Sequence, residues 1–264
     1  MSFDRVIAAD VVVIGSGVSG ATAALAAAPA QVVVVSKTAL VGGSTPLAQG
    51  GVAAPVGEED SPERHAADTM AVGAGLNDER AVRVLTAEAA DRIAGLLAAG
   101  ARFDRDASGK LMLGREAGHS VHRILHAGGD GTGAEIARAL AAALRSAPHV
   151  TCLEDTFAAD LVVSAGRVVG VTARGAGGEP ILLAAAAVIV ATGGIGRVYA
   201  NTSNPVEVTG DGLAMAGRAG ARLADLELSS SIRPLSPGAE TRCRSSPKRS
   251  AGRAPSCSTR PAGS

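Results

Sequence analysis

Residues 11–20, VVVIGSGVSG, narrow the choice of fold more than any other part of the chain. An apolar run that reads as a strand ends at Ile14, and Gly15, Gly17 and Gly20 follow at the spacing of a tight turn entering a helix. The first glycine permits the turn, the second leaves a backbone bare enough to touch a pyrophosphate, and the third allows close helix-to-strand packing. Ser16, Val18 and Ser19 fill the turn, and a helix starting near Val18 aims its N-terminal N–H groups at the phosphates. Glycine turns after strands also arise for turn geometry alone. Here a strand before and an alanine-rich helix after favour a dinucleotide site.

The next strand spans residues 31–35, and at such a strand end NAD enzymes place an acid for the ribose hydroxyls. This chain has Ser36 and Lys37 instead, which argues against a plain nicotinamide dehydrogenase. Lys37 can still meet a phosphate or ribose as a cation; alone, it reads as a solvated strand end. Beyond it, Gly42, Gly43, Gly50 and Gly51 bracket Ser44, Thr45, Pro46, Leu47, Ala48 and Gln49. That segment holds too much glycine for ordinary helix or strand. Its backbone can lie against a large planar ring, and the apolar Val52, Ala53 and Ala54 after it favour a buried, ligand-facing loop over a mobile surface one.

Three long motifs in order, SKTALVGGSTPLAQGGVAA, REAGHSVHRILHAGGDGTG and ATGGIGRVYANTSNPVEVTGDGLAMAGRAGARLADLE, resemble the L-aspartate oxidases of the fumarate reductase and succinate dehydrogenase flavoprotein family. The resemblance covers residues 10–227. It implies an α/β fold with a truncated, Rossmann-like FAD-binding domain: three layers, a parallel sheet and a small β-hairpin insertion. It also implies FAD as cofactor, L-aspartate as small-molecule substrate and iminoaspartate as product, with oxygen or fumarate as electron acceptor. The product would pass to quinolinate synthase in NAD biosynthesis. Nucleic acid, membrane and metal have no part in such a scheme.

Carried over position by position, the resemblance places Gly15 to Gly20 at the pyrophosphate, Lys37 on the adenosine side, Ser44 to Gly51 at the flavin and Asp211 again at FAD. Read alone, Asp211 before an alanine-rich helix is equally a helix cap. Glu116 discriminates between substrates. In the family the matching glutamate lies by the substrate amine, where a carboxylate pairs with an α-ammonium group and repels a second acid. An Arg115–Glu116 pair is otherwise solvated surface. His119, His122, Arg123 and His126 form a basic cluster suited to substrate carboxylates or the flavin; the ligand set for a metal is missing. A succinate- or fumarate-type flavoprotein and a non-catalytic dinucleotide-binding remnant are the alternatives.

The rest of the chain fits a globular α/β protein rich in Ala, Gly and Val, with 34 glycines and no Trp. No apolar run reaches the roughly 18 residues a membrane helix needs. The longest, residues 181–191, reads as a buried strand. No secretory signal is recognisable, so a cytoplasmic location is expected. Cys152 falls in a strand expected at residues 149–153, and Cys243 and Cys257 lie far off without histidines nearby, so neither disulfides nor zinc are indicated. Ser61 and Pro62 read as an N-cap and first helical residue. A helix from about Asn77 presents Val82, Leu85, Ala89, Ile93 and Leu96 on one face, and another over residues 132–145 aligns Ile136, Leu140 and Leu144. Residues 160–163 and 167–173 suggest a hairpin around a Ser-Ala-Gly turn.

From Leu228 the composition turns to Ser, Arg and Pro, with seven Arg or Lys against one acid. A disordered basic tail, or a nucleic-acid arm, is the ordinary reading. Back-translation of residues 244–260 in the neighbouring frame instead gives Leu-Ile-Ser-Glu-Ala-Val-Arg-Gly-Glu-Gly-Ala-Val-Leu-Leu-Asp, and residues 230–233 give Gln-His-Pro. Both resemble the downstream segments of L-aspartate oxidases. The expectation is therefore an N-terminal part of an FAD-binding domain over residues 1–227, a frame shift near Leu228, and loss of the family's acid/base arginine. The chain as written is then inactive or impaired.

Overall fold

The structure, a computed structural model, describes residues 2–226, all within the unit Met1–Ser230. The basic tail expected from Leu228 onward lies outside the described residues.

Its centre is a sheet built on valine. Strands β1 (Arg5–Ile14) and β2 (Val32–Val35) run parallel, with Val11 opposite Val32 and Ile14 opposite Val35. All four residues of β2 are buried, as befits a strand covered on both faces, where an unbroken apolar run replaces alternation. Val13, Val32 and Val34 face helices α1 (Val18–Ala26) and α4 (Thr132–Ser146), while Val12, Ile14, Val33 and Val35 face the other way. Helix α4 meets the first face with Ile136, Leu140 and Leu144, the expected stripe.

The sheet has six strands in the order β6-β2-β1-β9-β8-β7. Strands β6 (Val150–Leu153) and β9 (Pro180–Val190) continue the parallel set, and β8 (Arg167–Arg174) and β7 (Phe157–Ser164) add to β9 antiparallel. The sheet is thus mixed, and the expected hairpin extends it rather than standing apart. Gly170 makes the junction possible, since a Cβ there would run into the Leu183 carbonyl. Ala158, Val171 and Ala173 of this hairpin, with Met215 of α5 (Asp211–Arg218), cover the second face. Strand β9 is buried only in its first half, at Ile181 and Leu183; Ile189 and Val190 are open to solvent, which corrects the expectation of a wholly buried strand.

Two helices stand beside this body. Helix α2 (Pro62–Val72) starts as the sequence indicates, with the Ser61 hydroxyl accepting from Arg64 N–H at 3.2 Å and Pro62 in the first turn. Helix α3 (Glu79–Ala98) is capped by Asp78, which accepts from Ala81 N–H at 2.9 Å. Its buried face runs through Val82, Thr86 and Ile93, with Ala89 and Leu96 partly covered. The expected Leu85 is 64% exposed, whereas Thr86 is 1% exposed. The stripe steps by four from Val82, which rotates Leu85 to the flank. A small antiparallel sheet joins β3 (Val52–Ala53), β5 (Ile124–Leu125) and β4 (Leu113–Gly114). No helix among the described residues is long and apolar enough to cross a membrane.

Truncation of Leu144 to Ala is expected to lower the unfolding free energy by about 3 kcal/mol through lost burial and a residual cavity. The same change at Leu85 should stay within about 0.5 kcal/mol. Urea denaturation of the two variants checks both, and equal losses would contradict this assignment of the α3 face.

Candidate functional site

A pocket opens at the carboxyl ends of β1, β2 and β9, where Gly15, Ser16, Gly17, Ser36 and Lys37 face Ala191, Thr192 and Gly193. Its floor depends on backbone meeting backbone. Gly15 has φ +108°, and a Cβ there would collide with the Ala191 carbonyl. Gly15 N–H donates to Val35 O at 2.8 Å, and Ala191 N–H donates to Ile14 O at 2.8 Å. A Cβ on Gly20 would in turn strike the Gly15 carbonyl, so α1 can start only this close to the turn with glycine there. Helix α1 begins after Gly17 with no side-chain cap. The positive end of the helix dipole therefore lies next to Gly17 at the pocket edge and favours an anion there.

Hydroxyls and one ion pair complete the rim. The Ser16 and Ser36 hydroxyls share a hydrogen bond of 2.9 Å, and Val18 N–H donates to Thr45 Oγ1 at 3.3 Å, which ties the glycine-rich loop to α1. Lys37 Nζ donates to Thr209 Oγ1 at 2.8 Å and pairs with Asp211. Asp211 is the first residue of α5 behind Gly210 as N-cap, so its side chain serves Lys37 rather than the cap. Ser44 and Thr45 also line the pocket. Pro46 and Leu47 lie in a 3-10 turn, Thr45–Leu47, and Ala48 is held from behind by Gly133 N–H at 2.9 Å. Leu47, Ala48, Gln49 and Gly50 are exposed. The expected burial of this loop is thus corrected: only its start reaches the pocket, and its tip stands in solvent. An anion-binding helix start, paired hydroxyls and a cation suit the adenosine diphosphate part of FAD.

Glu116 stands elsewhere, on an exposed turn between β4 and β5 and outside the lining of this pocket. That turn is fastened to α2. Asp68 accepts from Ser120 N–H at 2.8 Å, from Ser120 Oγ at 2.9 Å and from Arg123 at 2.7 Å, while Asp60 takes two hydrogen bonds of 2.8 Å from the same guanidinium. The Arg123 side chain is 0% exposed. Arg123 is therefore no free cation for a substrate carboxylate, which corrects the basic-cluster expectation; two aspartates consume its charge. His119 Nδ1 lies 3.3 Å from Arg123 and its ring 5.9 Å from that of His65. Asp60, Asp68 and His65 carry no motif signal, and neither do Thr156 and Ala158, which line the pocket unannounced; Glu207 lies within the third motif but has no role in it by sequence. Among the described residues no three His, Cys, Asp or Glu side chains converge to hold a metal ion.

The FAD binding domain family matches residues 10–235. The chain is 52% identical over 228 residues to the L-aspartate oxidase of Streptomyces coelicolor, a match covering 84% of this chain and 39% of that protein. It is 46% identical over 217 residues to the L-aspartate oxidase of Mesorhizobium japonicum, covering 82% and 42%. Among solved structures it is similar to Mycobacterium smegmatis Sdh1 in complex with UQ1, at 35% identity and TM-score 0.76 over 81% of this chain and 39% of that one. A quinol-fumarate reductase with menaquinol molecules gives 32% identity and TM-score 0.77 over 80% and 37%. The chain spans about two fifths of the length of the curated relatives it matches.

The buried cluster has a pH signature. Burial holds His65 below the ordinary histidine value, with Arg123 and His119 adding to the effect and Asp60 and Asp68 opposing it; its Nδ1 is enclosed without a hydrogen-bond partner. A histidine depressed only in the fold contributes stability above about pH 6.5 that is lost as pH falls toward its folded value. Burial alone would raise Asp68, but the Ser120 and Arg123 hydrogen bonds outweigh it and hold the carboxyl low. Its share of stability is lost only as pH falls below about pH 4. Replacement of His65 by Gln is expected to flatten the decline in unfolding free energy as pH falls below about pH 6.5. Urea titrations at successive pH values check this, and an unchanged slope would refute a neutral buried His65.

Proposed function

Since this chain belongs to the FAD binding domain family, we propose that it is the cofactor-binding portion of an enzyme that oxidises L-aspartate to iminoaspartate, with oxygen or fumarate as acceptor. The observation that carries the reading is the meeting of a glycine-bounded helix start with the Lys37–Asp211 pair in one pocket, together with Glu116 in a segment matched by curated L-aspartate oxidases. FAD is the cofactor, and when bound it would supply the two-electron acceptor for the hydride of the substrate α-carbon.

The residues divide the work. In this proposal the start of α1, from Gly15 through Gly20, binds the diphosphate, Lys37 lies on the adenosine side, and Asp211 again meets FAD. The loop from Ser44 to Gly51 lies along the flavin ring. Glu116 accepts from the substrate α-ammonium group, and Asp68 orients its turn through Ser120. The strand–helix–strand unit β1-α1-β2 is Rossmann-like. Succinate- and fumarate-handling flavoproteins share the architecture, as the similarity to a succinate dehydrogenase-type and a fumarate reductase structure indicates. A carboxylate at Glu116 favours the amino acid over the plain diacid on charge grounds. Such an enzyme works in the cytoplasm and hands iminoaspartate to quinolinate synthase.

We further propose that residues 1–227 carry the flavin-binding sequence and that residues 228–264 are read out of frame. The gene's nucleotide sequence, translated in the neighbouring frame past codon 228, should give the HPT and SEAVRGEGA segments; a frame lacking them refutes the shift. Purified chain should take up FAD, and Lys37→Ala should weaken that uptake about tenfold, the worth of one charge-assisted contact. Fluorescence titration of FAD measures this, and equal affinity would remove Lys37 from the cofactor.

A further inference from the structure

The sequence offers no reason to single out Glu207. It lies in the turn leading to α5 and lines the cofactor pocket together with Ser36 and Lys37. Its Oε2 is enclosed with no hydrogen-bond partner. A covered carboxylate oxygen without a donor is costly, and an acceptor of this kind in a binding pocket asks for a donor from the ligand.

Glu207 is held at the β2 end of the pocket. Thr209 N–H donates to the Glu207 backbone carbonyl at 3.1 Å, and the Thr209 hydroxyl donates to Asp211 at 2.8 Å. Lys37 Nζ donates to the same Thr209 hydroxyl at 2.8 Å. The Glu207 backbone is therefore tied through Thr209 to the ammonium group at the end of β2. That strand end is where dinucleotide folds set an acid against the ribose hydroxyls, and here it carries a buried serine and a lysine paired to Asp211. The acid is missing from the strand and present on the facing turn.

Charge decides which part of FAD meets it. The diphosphate belongs at the start of α1, where a carboxylate would repel it. Glu207 needs a donor instead, and the vicinal hydroxyls next to the diphosphate are donors. We infer that Glu207 accepts hydrogen bonds from the adenosine ribose hydroxyls of FAD, replacing from the α5 side the acid that β2 lacks. This rests on FAD being the cofactor, and it adds a binding residue that neither the glycine motif nor the Lys37–Asp211 pair supplies.

The test uses the full chain and competition of adenosine nucleotides against FAD, read by flavin fluorescence. Wild type should bind ADP about tenfold more tightly than 2′,3′-dideoxy-ADP, the worth of one charge-assisted hydrogen bond. In Glu207→Ala that ratio should fall to near one, and Glu207→Gln, which keeps the volume and one acceptor, should fall between. The ratio of ADP to inosine diphosphate, which lacks the exocyclic amine, should not change. Equal loss for ADP and its dideoxy analogue would mark Glu207 as structural and overturn the proposal. Collapse of the inosine ratio instead would place the carboxylate against adenine and overturn it too. Failure of wild type to bind either FAD or ADP would overturn this proposal together with the cofactor reading, whereas an unchanged dideoxy ratio with intact FAD binding would overturn this proposal alone.

Discussion

The contact between the Gly15 turn and the end of β9 governs the pocket. Strand β1 can deliver its backbone to the Ala191 carbonyl only because Gly15 has no Cβ, and α1 can start against that turn only because Gly20 has none. A single methyl group at either place would push the helix start away from the sheet. The N–H groups that make an anion site would then no longer converge on the space between β1 and β9. The same approach fixes β9 as the parallel neighbour of β1, over nine paired residues from Arg5–Ile181 to Ile14–Val190. Fold and site are thus one constraint, imposed by small residues across some 175 positions of sequence.

A second constraint works by charge. Arg123, Asp60 and Asp68 bring a cation and two carboxylates together, with the guanidinium fully enclosed. Burial of charge is expensive unless each ion is paired and hydrogen-bonded, and here four of the guanidinium's hydrogen bonds or close polar contacts go to Asp60, Asp68 and His119. Removal of one partner leaves an unpaired ion, so the cluster works as a clamp that either closes fully or not at all. It holds the exposed turn bearing Glu116 against α2 while leaving Glu116 itself in solvent.

Local signals in the sequence are reliable where a single element carries them. The Gly15-to-Gly20 turn, the Ser61 cap and the α4 stripe each depend on residues a few positions apart, and each appears as read. The features that escape such a reading depend on partners distant in sequence. Residues 5–9 join β1 because residues 181–185 lie alongside them, and nothing in RVIAA announces that. Arg123 looks like a free cation in sequence because its partners lie 55 and 63 residues away. The hairpin is visible, but its union with β9 is not, since the deciding feature is the absence of a side chain at Gly170. Leu85 misleads because leucine on a helix suggests burial, while the actual stripe passes through a threonine.

The pairing of Lys37 with Asp211 bears on how a doubly charged diphosphate is accommodated. Were Lys37 unpaired, it would offer a mobile cation, and much of the binding would be screened by salt. Held by Asp211 and Thr209, the ammonium is positioned, and the carboxylate offsets part of its charge. In the proposed cofactor site, much of the diphosphate charge then falls to the start of α1, whose dipole and N–H groups are fixed in the backbone. Binding that depends on fixed dipoles loses less to salt and to side-chain ordering than binding by flexible cations. It depends correspondingly more on geometry, and therefore on the glycines that let the helix begin where it does.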